Sequence, residues 1–239
     1  MRVRVRPVPE VLTPAAVPGD GVDVWVAPLD ARPHDPATGM TADERARGDR
    51  YKHPRIRDQF ARARCLLRNV LASYLGCRPL DVPIEYTPDG KPVLAGGALH
   101  FNLTHTEGLA IVAVGPVRVG VDAEKLRPMP TADGLVDRFF AEPERVQYRE
   151  LPPGVRPEAF LRGWTCKEAV LKGVGCGARG LDRLVLDLDP RRPPRVLALH
   201  DSPGTGWSLA CWHPVDGFLA AIAVESGTAL EVIRCEAGE

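Results

Sequence analysis

Two similar stretches of sequence decide the fold: residues 108–114 read GLAIVAV and residues 217–224 read GFLAAIAV. Each is a short apolar run that begins at a glycine, and a polar turn containing a histidine, His105 or His213, comes before it. Short apolar runs bounded by turn residues predict buried strands. Because apolar strands also resemble one another by chance, the pair suggests an internal duplication without establishing it.

The elements expected around these stretches have a common order. Residues 58–75 carry an apolar stripe at helical spacing that stops at Gly76, and residues 41–44 have the pattern of a helix capping box. Residues 131–173 are helical in pattern, with Pro143 and Pro157 placed for the first turns of helices. Strands are expected at 22–29, 84–87, 99–103, 109–114, 117–123, 181–188, 195–200, 206–213, 217–225 and 230–235, with a turn at 88–90.

Both halves then consist of a helix followed by antiparallel strands, which is an α+β arrangement. We expect a loose, Pro-rich lead-in at 1–21, an N-terminal half at 22–118 and a C-terminal half at 119–239.

Composition excludes several classes of partner. The 31 basic and 31 acidic residues of this 239-residue chain cancel, so no overall field attracts nucleic acid or an anionic membrane. No apolar run approaches the ~18 residues of a membrane span, and the N-terminus lacks a signal peptide pattern. The six cysteines show no CxxC spacing and predict free thiols. We therefore expect a cytoplasmic protein.

Asp122 and Glu124 lie two residues apart in a predicted strand, so both point to the same face. Two adjacent carboxylates repel each other unless a positive charge lies between them, and Mg²⁺ commonly binds one or two carboxylates together with substrate phosphates. The alternative is a solvated strand end.

Lysine is scarce, with only five residues against 26 arginines, and two of the five lie at 167 and 172 in one predicted helix. Glu168 and Lys172 are one turn apart and share a face, which fits either an exposed ion pair or a metal carboxylate beside a phosphate contact. Upstream, Thr104 and His105 can donate to an anion, His105 when protonated, and Lys91 lies on a turn.

Together these motifs resemble the signatures of a known enzyme family. FNLTHTEG at 101–108, VGVDAEKLRP at 119–128 and WTCKEAVLKGVG at 164–175 are similar, in this order, to three motifs of the Sfp-type 4′-phosphopantetheinyl transferases. DGKP at 89–92 is similar to a further upstream motif, and FFAEPE at 139–144 to an acidic segment before the Lys-Glu helix. The resemblance covers about residues 22–225.

The resemblance implies two α+β halves related by pseudo-twofold symmetry, with the active site between them, in a monomer. It implies transfer of the phosphopantetheine arm of coenzyme A to a serine of an acyl or peptidyl carrier protein of polyketide, nonribosomal peptide or fatty acid synthesis. The other product is 3′,5′-ADP, and Mg²⁺ or Mn²⁺ is required.

The resemblance also implies a role for particular residues. The metal ligands would be Asp122, Glu124 and Glu168, and the catalytic residues Asp122, Glu168 and Lys172. Glu168 would accept the serine proton directly or through water. The residues binding coenzyme A would be Arg45, Arg64, Gly90, Lys91, Thr104, His105, Lys167 and Lys172, and Arg45 and Arg47 would together replace family lysines near the 3′-phosphate.

Two other classes of function stay open. A non-catalytic relative would bind only coenzyme A or a carrier domain, and the intact carboxylates and Lys172 argue against it. A Mg²⁺-dependent nucleotide hydrolase would release its product without any carrier protein.

Overall fold

The computed structural model of the protein describes residues 1–30, 39–97, 99–199, 202–203 and 206–235. Its α-helices are α1 (Ala42–Gly48), α2 (Pro54–Leu75), α3 (Ala132–Phe139), α4 (Glu142–Glu150) and α5 (Arg156–Val174). Its strands are β1 (Arg2–Pro7), β2 (Gly21–Pro28), β3 (Ile84–Tyr86), β4 (Pro92–Leu94), β5 (His100–Thr106), β6 (Leu109–Gly115), β7 (Val119–Lys125), β8 (Leu184–Leu186), β9 (Val196–Leu199), β10 (Ser202–Pro203), β11 (Trp207–Trp212), β12 (Phe218–Glu225) and β13 (Glu231–Arg234).

The helix α2 follows the predicted apolar stripe and buries it against the strands of the N-terminal half. It ends at Gly76, whose φ of +63° is the left-handed conformation that glycine adopts at low cost. It begins at Pro54, four residues before the prediction, because proline is tolerated in the first turn of a helix. The capping box of α1 is confirmed, since the Thr41 backbone N–H donates to a Glu44 carboxylate oxygen at 3.0 Å.

The two similar stretches occupy equivalent places in two sheets. Residues 109–114 lie in β6, the central strand of the order β2-β6-β5, and residues 218–224 lie in β12, the central strand of β7-β12-β11. All of these pairings are antiparallel. In each half a strand that pairs with the central strand precedes a long helix, and a hairpin follows the helix, so that β2–α2–β5–β6 matches β7–α5–β11–β12. The α+β fold of two similar halves is thus confirmed.

The halves meet where β5 lies beside β7. The side-chain oxygen of Asn102 accepts a hydrogen bond from the backbone N–H of Val121 at 3.0 Å. Apolar residues of both sheets, including Val24, Ile111 and Ile222, form one core between them. Functional groups on β5 and β7 are therefore held close together by packing that involves both halves.

The prediction of a loose lead-in is wrong for residues 2–7. These residues form β1, which pairs in parallel with β2 on one side and with β13 on the other. Val3 is fully buried, and the Arg4 guanidinium donates to Asp23 at 2.7 Å. The end of the chain thus returns to the N-terminal sheet, a long-range pairing that local patterns do not reveal. The boundary at 118/119 stays a prediction.

Most other predicted elements are confirmed with bounds that differ by one to a few residues. The strand β4 was not predicted, and the predicted strand at 181–188 contracts to β8 after a 3₁₀ segment at Gly177–Arg183. The last residue of the strand predicted at 195–200 lies outside the described residues. The six cysteines are free thiols, as predicted. Across the described ranges, no helix has the length and apolarity needed to cross a membrane.

Candidate active site

Three of the predicted residues form a hydrogen-bonded triangle where the halves meet. The Lys172 ammonium on α5 donates to Asp122 Oδ1 on β7 at 2.5 Å and to the Thr104 hydroxyl on β5 at 3.2 Å. The Thr104 hydroxyl in turn donates to Asp122 Oδ1 at 3.1 Å. The three motifs that carry these residues are therefore brought together by the tertiary structure.

The close approach of α5 to β7 makes this triangle possible. A Cβ atom added at Gly120 would lie 2.0 Å from the carbonyl oxygen of Ala169 and 2.4 Å from the backbone nitrogen of Gly173. These atoms belong to the backbone of α5, so a larger residue at position 120 could be accommodated only if the whole helix shifted away from the strand. The glycine before Asp122 in the motif thus brings Lys172 within reach of the carboxylate.

The carboxylates of the site are close enough to disturb one another. Burial raises the pKa of Asp122 above its usual range, against the opposing effect of Lys172. Burial raises the pKa of Glu124 to about 7, and the charge of Asp122 adds to that shift. Burial also raises the pKa of Glu168, and Lys172 opposes this while Asp122 reinforces it. The charge of Asp122 thus acts on both glutamates, and the assignment of the three acids as metal ligands stays a prediction.

The chemistry of this donor set fits a hard divalent cation. Among the residues that the structure describes, the second carboxylate oxygen of Asp122, Oδ2, is buried without a hydrogen-bond partner, which leaves an acceptor with a large desolvation cost. In the part of the chain that the structure describes, no three His, Cys, Asp or Glu side chains are arranged to hold a metal by themselves. Mg²⁺ does not require such a cage, because it keeps water and substrate phosphates among its ligands.

A cavity of about 300 Å³ opens beside the triangle and is lined from both halves. Five of the residues predicted to bind coenzyme A line it: Arg64, Gly90, Lys91, His105 and Lys172. Four of these five carry basic side chains, and an aromatic wall is supplied by Tyr51 and Phe60. A basic cavity next to buried carboxylates suits a ligand with several phosphates and one bound cation.

Lys91 connects the halves across this cavity. Its ammonium donates to the carbonyl oxygen of Gly173 at the end of α5. Burial, together with the nearby charge of Arg118, lowers the pKa of Lys91 to about 8. Gly90, immediately before it, has a φ of +85° that completes the tight turn.

Arg64 is held from behind by two residues that the motifs did not identify as part of the site. Its guanidinium donates to the Tyr86 hydroxyl at 2.5 Å, and its Nε lies 3.7 Å from a Glu44 carboxylate oxygen. Glu44 also accepts from Arg68 at 2.6 Å and is itself buried. The capping box pointed to Glu44 as a helix cap, whereas its contact with arginines on another helix has no local signal.

The structure favours Arg47 over Arg45. Arg47 lines the cavity, whereas Arg45 is not among its lining residues and its guanidinium donates to the backbone carbonyl of Met40. The physical reason is their spacing along α1, since residues two apart point to different sides of a helix.

His105 lies in the cavity as predicted, but in a different protonation state. Burial lowers the pKa of His105, and the charges of Lys172 and Arg64 lower it further. A histidine of lowered pKa is a neutral donor at neutral pH rather than a cation. The free protein therefore offers a neutral N–H donor at this position, and a charge-assisted bond to a bound phosphate stays a prediction.

The prediction that Lys167 binds coenzyme A is wrong. Its side chain is 0 % exposed, and its ammonium lies 2.5 Å from the equally buried Glu144 and donates to the Leu184 carbonyl. Residues 167 and 168 point about 100° apart on a helix, so Glu168 can face the site while Lys167 enters the core.

Comparisons with known proteins agree with this geometry. A family model described as the 4′-phosphopantetheinyl transferase superfamily matches residues 118–223. A 4′-phosphopantetheinyl transferase from Nostoc, HetI, is 38 % identical over 213 residues, covering 86 % of this chain and 88 % of its own. A putative 4′-phosphopantetheinyl transferase from Synechocystis is 34 % identical over 171 residues, or 69 % of each chain.

A more distant relative, the 4′-phosphopantetheinyl transferase of Bacillus subtilis, is 28 % identical over 58 % of this chain and 61 % of its own. The family match begins one residue before β7 and includes α5, so it contains the Asp122, Glu124, Glu168 and Lys172 positions. The chain belongs to the 4′-phosphopantetheinyl transferase superfamily.

Proposed function

We propose that the chain transfers the 4′-phosphopantetheine arm of coenzyme A to a serine of an acyl or peptidyl carrier protein and releases 3′,5′-ADP. The observation that carries this proposal is the triangle of Asp122, Thr104 and Lys172 beside a basic cavity lined by both halves. Family membership supports the same reaction.

The cavity residues divide between the two ends of the nucleotide. Arg64, Lys91 and His105 lie on the N-terminal half and would hold the adenosine end with its 3′-phosphate. Lys172 and Thr104 lie beside the carboxylates and would contact the pyrophosphate. Charge-assisted bonds to phosphate oxygens are about twice as strong as neutral ones. Arg64, Lys91 and Lys172 would therefore contribute most of the affinity for coenzyme A.

Asp122, Glu124 and Glu168 would hold Mg²⁺ or Mn²⁺, which when bound neutralises charge on the pyrophosphate. The serine hydroxyl attacks the β-phosphorus, and the bond from that phosphorus to the oxygen of the leaving 3′,5′-ADP breaks. Lys172 stabilises the charge that grows on the leaving nucleotide. Glu168, directly or through a water molecule, accepts the serine proton.

The test is to incubate the protein with coenzyme A, Mg²⁺ and apo carrier proteins of polyketide, nonribosomal peptide and fatty acid synthesis. We expect one phosphopantetheine arm on the carrier protein by mass spectrometry and an equal amount of 3′,5′-ADP. Coenzyme A binding without any mass change in the carrier proteins would instead indicate a non-catalytic relative. Nucleotide release in the absence of carrier protein would indicate a hydrolase.

A further inference from the structure

Glu144, in the acidic segment before α5, and Lys167, within α5, form a buried ion pair that the proposed chemistry does not use. Glu144 and Lys167 are both 0 % exposed, and their charged atoms lie 2.5 Å apart. Glu144 also accepts hydrogen bonds from the backbone N–H groups of Ala141 at 2.8 Å and Leu186 at 2.9 Å. Lys167 completes the set by donating to the Leu184 carbonyl. The pair thus joins the start of α4, the strand β8 and the middle of α5.

Stability alone does not account for a pair of this kind. Removing two charges from water is costly, and well-packed apolar residues of similar volume often give equal or greater stability. Burial raises the pKa of Glu144 and lowers the pKa of Lys167, in each case against the effect of the partner's charge. The hydrogen bonds of the pair have preferred directions, whereas the apolar contacts of α5 do not. The pair can therefore hold the helix in one orientation in a way that apolar contacts cannot.

The apolar contacts of α5 determine its distance from the sheet, and its rotation is set by directed bonds: the Glu144–Lys167 pair, the bonds from Arg162 to the carbonyls of Asp189 and Arg192, and the bond from Lys91 to the carbonyl of Gly173. Gly173 lies against the Trp207 ring, and Ala169 and Val170 pack in an apolar cluster. Apolar contacts are non-directional. The Glu144–Lys167 pair supplies directed bonds on the side of α5 away from Asp122.

Small rotations of α5 matter because Glu168 directly follows Lys167. Side-chain atoms lie about 5–6 Å from a helix axis, so a 10° rotation would move the Glu168 carboxylate by about 1 Å. A displacement of that size between reacting groups lowers a rate by about 10²-fold.

We propose that Glu144 and Lys167 are positioning residues for the transfer reaction: the buried pair sets the rotation of α5, which places Glu168 and Lys172 opposite Asp122. This inference rests on the proposed function for the roles of Glu168 and Lys172. It predicts that the pair affects turnover and metal binding and leaves coenzyme A affinity nearly unchanged, because Arg64, Lys91 and His105 lie on the other half and the long Lys172 side chain can follow the phosphate through a rotation of about 10°.

The test compares the wild-type protein with the double variant E144Q/K167M. The glutamine amide keeps one of the two backbone hydrogen bonds that Glu144 accepts, and methionine keeps the length of the lysine stem. We expect the melting temperature and the coenzyme A dissociation constant to stay near wild type. The single-turnover rate should fall by about 30-fold or more, and Mn²⁺ affinity, measured by electron paramagnetic resonance with coenzyme A present, by about tenfold.

The matched control is D137N/R149M, which removes an ion pair that joins α3 to α4 and is more than half exposed. It should leave all four quantities unchanged. A folded E144Q/K167M protein with a turnover rate within threefold of wild type and unchanged Mn²⁺ affinity would overturn the proposal.

If the double variant does not fold, K167R decides, because it keeps the charge while its longer, planar head group changes the geometry of the pair in a fully buried site. A lower turnover rate with unchanged coenzyme A affinity supports positioning, whereas a wild-type rate overturns it. A wild-type protein that binds coenzyme A yet modifies no carrier protein contradicts the proposed function. The Mn²⁺ measurement still tests the pair in that case.

Discussion

The Lys172 ammonium lies 2.5 Å from Asp122 Oδ1, although the two residues are 50 positions apart in the sequence. Glu168, one turn earlier on the same helix, is the partner that helical spacing alone favours. Lys172 turns to Asp122 instead because β7 lies directly against α5 at Gly120. One cation therefore already faces the three carboxylates, and substitutions at either residue change the charge that the other experiences.

Asp122→Asn should abolish transfer and leave the fold intact. The amide can still accept from Thr104, but it has no charge with which to hold a cation or Lys172. The loss of stability should stay below the ~3–5 kcal/mol of a fully buried broken pair, since the Lys172 side chain is 31 % exposed and can reach solvent. Turnover at limiting Mg²⁺ and the melting temperature measure the two effects, and near wild-type turnover would contradict the metal assignment.

His105→Ala should weaken coenzyme A binding with little effect on the rate of the bound complex. Losing one neutral hydrogen bond of ~0.5–1.5 kcal/mol lowers affinity by roughly two- to tenfold. Calorimetry with coenzyme A and with dephospho-coenzyme A, which lacks the 3′-phosphate, checks the assignment. The variant should discriminate less between the two ligands, and unchanged discrimination would assign His105 to another role.

Glu168→Gln and Lys172→Ala should fail in different ways. Glu168→Gln keeps size and hydrogen bonding but loses the charge needed to accept the serine proton, so turnover should fall by about 10²-fold or more. Lys172→Ala removes a phosphate contact that exists in the ground state and strengthens in the transition state, as charge builds on the leaving nucleotide, so coenzyme A affinity and turnover should both fall. Single-turnover rates and calorimetry on both variants separate the effects. Wild-type turnover in both variants would show that Glu168 and Lys172 have no role in the reaction.

Coenzyme A affinity should fall as the pH rises through about 8. The pKa of Lys91 in the free protein is about 8, so its ammonium is charged below that pH and loses its proton above it. Losing one charge-assisted bond of ~1.5–3 kcal/mol corresponds to roughly 10- to 100-fold in affinity. The matched variant Lys91→Arg stays charged and should show a flatter profile between pH 7 and 9. Identical profiles for the two proteins would remove Lys91 from the binding site.

Local sequence patterns predicted correctly the features that are stabilised by interactions between residues close together in the sequence. The apolar stripe of α2, its glycine stop, the capping box of α1 and the strand spacing of Asp122 and Glu124 depend on neighbours within a few residues. The resemblance of the motifs to a known family predicted which residues would bind coenzyme A, and five of those residues line the cavity.

The residues misplaced from sequence all depend on contacts between distant segments. Lys167 enters the core because Glu144, on another helix, is there to receive its charge, and no spacing along α5 reveals this. Arg47 rather than Arg45 faces the cavity because the rotation of α1 is set by buried Glu44 and its contact with Arg68.

The sequence by itself determined the class of fold, the positions of the long helices and the set of acids and bases from which the site is made. Hydrophobic periodicity and capping chemistry act over one or two turns and can be read directly. Only the tertiary structure decided that β1 joins β13, that Lys172 pairs with Asp122 and that Arg64 is held by Glu44 and Tyr86. These contacts depend on the burial of two apolar sheets against each other and of helices on their outer faces, a non-directional driving force that no local pattern encodes.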